Sequence, residues 1–99
     1  MKYTKKEYIK LGRTLQKSIA EYLPGDVIKY TIIAIKYADN TYKAFYEVRK
    51  CYDRNPYESE TITHDIREFN SYSAMLNYLL SIGFQVEELN TAKGLKIQF

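Results

Sequence analysis

Cys51 and His64 are the single cysteine and single histidine of this 99-residue chain, and a thiol beside an imidazole is one of the few nucleophilic pairs the composition permits. Histidine can deprotonate a thiol, and the thiolate attacks carbonyl carbon. The setting favours packing instead: Cys51 ends a run of strand-forming residues as a small apolar filler would, and His64 lies between Ile62 and Ile66, which the alternation turns to the core. A second chemistry would use acids. Glu47 and the run Asp65-Ile66-Arg67, with Glu58 and Glu60 nearby, put an acid on one segment and an acid-x-cation on the next. One His and one Cys cannot build a structural zinc site of Cys and His ligands, and no glycine-rich phosphate loop or Gly-x-Ser-x-Gly turn occurs. The sequence therefore reads as a non-enzyme with no cofactor and no metal.

Binding is better supplied. Eleven tyrosines and no tryptophan give a chain rich in amphipathic contact surface, and tyrosine suits half-buried positions and docking surfaces. The bias towards Lys, Ile, Asn and Tyr is also what an AT-rich coding sequence produces. Residues 1–50 carry eleven Lys or Arg against five Asp or Glu, while residues 51–99 carry four against seven, so the first half is basic and the second acidic. On a helix, Lys6, Lys10, Arg13 and Lys17 fall within about 60° of one another, opposite the apolar face, with no acid among them. Like charges so spaced repel, so the ridge is unfavourable unless something negative meets it. These four are the expected electrostatic contacts, with Tyr37, Phe45 and Tyr57 as anchors on or near the solvated sheet face.

The elements that must position these residues follow from periodicity. Thr4-Lys5-Lys6-Glu7 has the pattern of a capping box, and apolar residues at Tyr8, Leu11, Leu15, Ile19, Tyr22 and Leu23 predict a helix over 5–22, stopped by Pro24-Gly25. Gly12 beside that face suggests close approach to a sheet. Val27 to Ala38 and the segment from Tyr42 predict a hairpin turned by Asp39-Asn40-Thr41. In its second strand Tyr42, Ala44, Tyr46 and Val48 share one side and Lys43, Phe45, Glu47 and Arg49 the other; the first strand is apolar on both sides, as a central or bulged strand would be. A loop at Asp53–Tyr57, a third strand at Thr61–Arg67, a second helix capped by Asn70 or Ser71 and stopped by Gly83-Phe84, and a terminal strand or hairpin from the short apolar stretches 84–89 and 95–99 complete the reading. The expectation is one α+β domain spanning 1–99, an antiparallel sheet packed against two helices in the order α-β-β-β-α-β(β). At 45% hydrophobic and 27% charged the chain is an ordinary globular one, with no membrane span or leader, and the lone Cys51 suits a reducing, cytoplasmic setting.

Three resemblances bear on function. The helix, three strands, helix order is that of the double-stranded-RNA-binding domain, but that family's phosphate-gripping lysines at the start of the second helix are replaced here by Asn70-Ser71-Tyr72-Ser73. The order with a final strand resembles PD-(D/E)xK nucleases, for which Glu47 with Asp65-Ile66-Arg67 is the nearest match; arginine replaces the lysine, and no Pro-Asp precedes it. The Lys/Ile/Tyr-rich, motif-free, single-domain character resembles accessory proteins of phages and mobile elements, including host-defence inhibitors such as anti-CRISPR proteins. The reading that follows is a small protein that docks on an acidic protein or nucleoprotein and occludes it. Nucleic-acid binding through the basic stripe, with Tyr3, Tyr37 and Phe45 to stack on bases, is the alternative, and a homodimer is compatible with either.

Overall fold

The computed structural model describes residues 4–52 and 55–91, the stretch 55–58 by its backbone alone. The elements are α1 (Lys5–Lys10), β1 (Leu15–Leu23), β2 (Val27–Ala38), β3 (Thr41–Tyr52), β4 (Asn55–Phe69), α2 (Tyr72–Ser81), a 3₁₀ turn (Val86–Glu88) and β5 (Asn90–Thr91). They make the expected single α+β domain: an antiparallel sheet in the order β4-β3-β2-β1-β5 with two helices. Both helices lie on one side of it, since Ile9 of α1 and Met75, Tyr78 and Leu79 of α2 share a core with Leu15, Ile33, Ile35, Tyr42 and Ala44.

The first helix is much shorter than its predicted span of 5–22. Thr4 caps it as expected, accepting from the Glu7 amide at 3.1 Å while Glu7 accepts from the Thr4 amide at 3.2 Å. After Leu11 the chain reaches Gly12 at φ +85°, a left-handed conformation that ends a helix and that glycine adopts without strain. A Cβ on Gly12 would meet nothing within 4 Å, so the glycine serves the backbone turn and not close approach to the sheet. From Leu15 the residues assigned to the helix run instead as β1, paired from Leu15↔Ile35 to Leu23↔Val27. The spacing fits both: Leu11, Leu15, Ile19 and Leu23 recur every four residues, which lines one face of a helix and, four being even, one side of a strand.

Elsewhere local signals hold. Asp39 and Asn40 sit at φ 54° and 62°, the paired left-handed conformations of a two-residue type I′ hairpin turn. β2 is central and unbulged, in continuous register with β1 and β3. Ser71 caps α2 by accepting from the Ala74 amide at 3.1 Å. At its other end the Phe84 amide donates to Leu79 at 2.9 Å and the Gly83 amide to Leu80 at 3.1 Å, a Schellman stop that buries Phe84. Two spans are corrected: β4 already begins at Asn55, inside the expected loop, and Val86–Glu88 is a 3₁₀ turn where a strand was expected. The expected strand at 95–99 lies outside the described residues.

Candidate functional site

Strand register sorts the functional candidates. Because Ala44 opposes Ile35 and Arg67, and Tyr46 opposes Ile33 and Asp65, these residues face the helices. Phe45 opposes Ala34 and Ile66, and Glu47 opposes Ile32 and His64, so they face away. That second side also presents Gln16, Ser18, Ala20 and Tyr22 from β1 and Ile28, Tyr30 and Lys36 from β2, by the alternation of each strand. No helix among the described residues covers it.

The uncovered face is apolar but not uniformly so. Tyr22 is 82% exposed, Ile66 43% and Tyr30 38%, whereas Phe45 is buried at 7% although no helix among the described residues lies above it. The His64 ring stands edge-on to Phe45 at a centroid distance of 5.3 Å. Beside it Glu47 is nearly buried, and its Oε1 accepts from Arg49 Nη2 at 3.1 Å and lies 3.4 Å from His64 Nδ1. Lys43 on the same side is within 3.5 Å of Glu68 and 3.4 Å of Asp39. The face thus carries exposed tyrosine and isoleucine around ion pairs that balance one another.

Several expected arrangements are undone by the same register. Cys51 stands four residues beyond Glu47 along β3, which puts it about 13 Å from the strand position opposite His64. No thiol–imidazole pair forms. Glu47 and Asp65 point to opposite sides of the sheet, so they cannot share a metal in the way the nuclease resemblance implies. Ile66 and His64 face away from the helix core, half exposed, and not into it. Glu58, like Tyr57, has its side chain outside the described residues, and so does the whole of Tyr3.

The basic ridge does not exist as a helical feature. Lys6 and Lys10 are on α1, Arg13 follows the Gly12 turn, and Lys17 is on β1. Each is engaged within the chain: Lys6 Nζ lies 5.2 Å from the Tyr72 ring centroid, Lys10 Nζ 5.4 Å from Tyr37, and Arg13 Cζ 5.8 Å from Tyr8. Lys17 pairs with Glu88 at 2.9 Å, and the Gln85 amide together with that ammonium holds the Glu88 carboxyl below the usual range. Tyr37 is on the helix side, 4.7 Å from the Tyr42 ring, and is therefore not an anchor on the uncovered face.

Tyr22, Tyr30 and Arg49 are the residues of this face that sequence reasoning did not select. Tyr22 was masked by its assignment to a helix. Tyr30 and Arg49 were legible, since strand alternation puts them opposite the core-facing set, and they are direct cross-strand neighbours. A second exposed apolar feature is a hollow of about 200 Å³ lined by Leu76, Leu80, Phe84 and Val86 beside α2. Among the described residues no helix is long and apolar enough to cross a membrane. No protein-family model, curated protein or solved structure matches the chain.

Proposed function

We propose that this is a non-enzymatic binding protein that docks on a larger protein through the uncovered face of its sheet and acts by occluding that partner, as small inhibitors of the phage and mobile-element kind do. The observation that carries the reading is the placement of exposed Tyr22, Tyr30 and Ile66 on a sheet face that no helix of the described chain covers. Tyrosine and arginine dominate the energetics of protein interfaces because a large ring or a planar guanidinium buries much area while keeping its polar atoms satisfied. Here Tyr30 and Arg49 lie side by side at the centre of the sheet, on rigid strands that need little ordering on contact.

A protein partner is favoured over nucleic acid by the charge pattern. Phosphate binding needs cations free of local carboxylates. On this face Lys43 and Arg49 are paired with Glu68 and Glu47, and the four stripe cations that suggested nucleic acid are divided between α1, the turn after it and β1, with Lys17 paired to Glu88. Affinity capture from the source cell with wild-type protein and with Tyr22→Glu/Tyr30→Glu tests the reading. The recognised partner should be lost from the double variant and kept by a Leu80→Glu control on the opposite side. Capture of nucleic acid with an affinity that falls steeply with salt would replace this reading by the alternative.

A further inference from the structure

The outer edge of β4 has no strand beside it among the described residues, and its sequence is complementary to itself. We infer that two copies of the chain join by antiparallel pairing of their β4 edges about a two-fold axis through Ile66. The inference goes beyond the docking reading; the two share Ile66, but this one rests on pairing of the strand edge and is read by mass, not by capture of a partner.

The first argument is geometric. β4 is in regular register with β3 from Thr63↔Val48 to Phe69↔Tyr42, and the register breaks between Arg49 and Val48, at Ile62. Beyond Phe69 the chain turns at Asn70-Ser71 into α2. The regular edge is therefore Thr63–Phe69, and its middle residue is Ile66. A two-fold axis normal to the sheet at Ile66 pairs this whole segment with itself, Thr63 against Phe69 and Phe69 against Thr63.

The second argument is charge complementarity. In that register Asp65 lies opposite Arg67 of the second copy and Arg67 opposite its Asp65, on the helix side of the sheet, so the Arg67–Asp65 pair that each chain makes at 2.6 Å would be extended across the two-fold into a four-charge cluster of alternating sign. On the uncovered side Ile66 meets Ile66, and His64 meets Glu68. Opposite charges directly across an antiparallel pair stabilise it, and like charges destabilise it. Shifting the axis to Asp65, Arg67 or Glu68 sets like charges against each other at the axis itself. An axis at His64 opposes Glu60 to Glu68, and one at Thr63 runs through the irregularity at Ile62. Only the axis at Ile66 keeps the whole regular segment paired and sets no like charges against each other.

The edge is also poorly defended. Long exposed strands are normally blunted by proline, lysine, a bulge or a covering segment; β4 has Pro56 and the irregularity at Ile62 towards its start, but its regular stretch Thr63–Phe69 has no proline, lysine or bulge. Ile66, at 43% exposure, would be covered by its own copy. Closed two-fold pairing uses the edge up, which stops further addition of strands. Because the axis is normal to the sheet, the helices of both copies lie on one side and the two uncovered faces merge into one.

Sedimentation equilibrium on the full chain tests this. The wild type should sediment as twice the 11.7 kDa chain at high micromolar concentration. Ile66→Glu and Ile66→Lys each place like charges against themselves at the axis, so each alone should dissociate at least about tenfold more readily. Mixing the two variants should restore the dimer, because only this register opposes residue 66 to itself. Circular dichroism melts confirm that both variants are folded before mixing. A monomeric wild type, a dimer indifferent to either substitution, or a mixture that stays monomeric overturns the inference.

Discussion

The Tyr78 hydroxyl donates to Asp65 Oδ2 at 3.1 Å, joining α2 to the edge strand β4 beneath the Arg67 guanidinium, which lies 5.2 Å from the Tyr78 ring. Burial first, and then this hydrogen bond, push the Tyr78 phenol from 10.0 up to about 12, while Arg67 holds the Asp65 carboxyl below its usual range. The neutral phenol is the form the fold prefers, so its contribution is complete below pH 10 and is lost as pH rises from 10 towards 12. Ultraviolet titration should show one phenol ionising last, and Tyr78→Phe should remove it and flatten alkaline destabilisation over that window. Ionisation of all the tyrosines together near their ordinary value would contradict the assignment.

Lys5 tethers α1. Its Nζ donates to the carbonyl oxygens of Glu87 at 2.5 Å, Leu89 at 2.6 Å and Val86 at 3.3 Å, tying α1 to the 3₁₀ turn. A six-residue helix does not hold itself together in water, so this tether and the burial of Ile9 keep it in place. Lys5→Met keeps the stem and removes the donors, and should cost about 1.5–3 kcal/mol in a urea unfolding curve, whereas Lys17→Met, which breaks only the exposed pair with Glu88, should cost under about 1 kcal/mol.

Gly12 decides that α1 stops and β1 begins. An L side chain at φ +85° is strained although the space around it is empty, so Gly12→Ala should destabilise by about 1–2 kcal/mol and Gly12→Asn by less. Equal stability of Gly12→Ala and wild type would mean that the turn tolerates a right-handed backbone.

Features written in adjacent residues were legible before the fold was known. The Thr4 and Ser71 caps, the Asp39-Asn40 turn and the Gly83-Phe84 stop each involve a side chain or φ angle within a few positions of the element they end. Lys17 and Ile19 were misread because a four-residue period does not distinguish a helix face from a strand side, and the left-handed Gly12 that separates the two was read as a packing glycine. The side of the sheet occupied by Phe45 was legible from alternation. What filled it was not: Tyr22 reaches that face only once β1 pairs with β2, and His64 meets Glu47 only through the β3–β4 register. Long-range register is set by the whole sheet and leaves little trace in any one segment.

The docking account is tested most directly by calorimetry of the recognised partner against wild type, Tyr30→Ala and a Lys6→Glu/Lys10→Glu variant. Tyr30→Ala should weaken binding by about tenfold or more, as loss of a central interface tyrosine does, with the melting temperature of the free protein little changed. The reversed-charge variant should bind within about twofold of wild type, because its side chains lie on the helix-covered side. Undiminished binding by Tyr30→Ala together with its loss on reversing Lys6 and Lys10 would contradict the account.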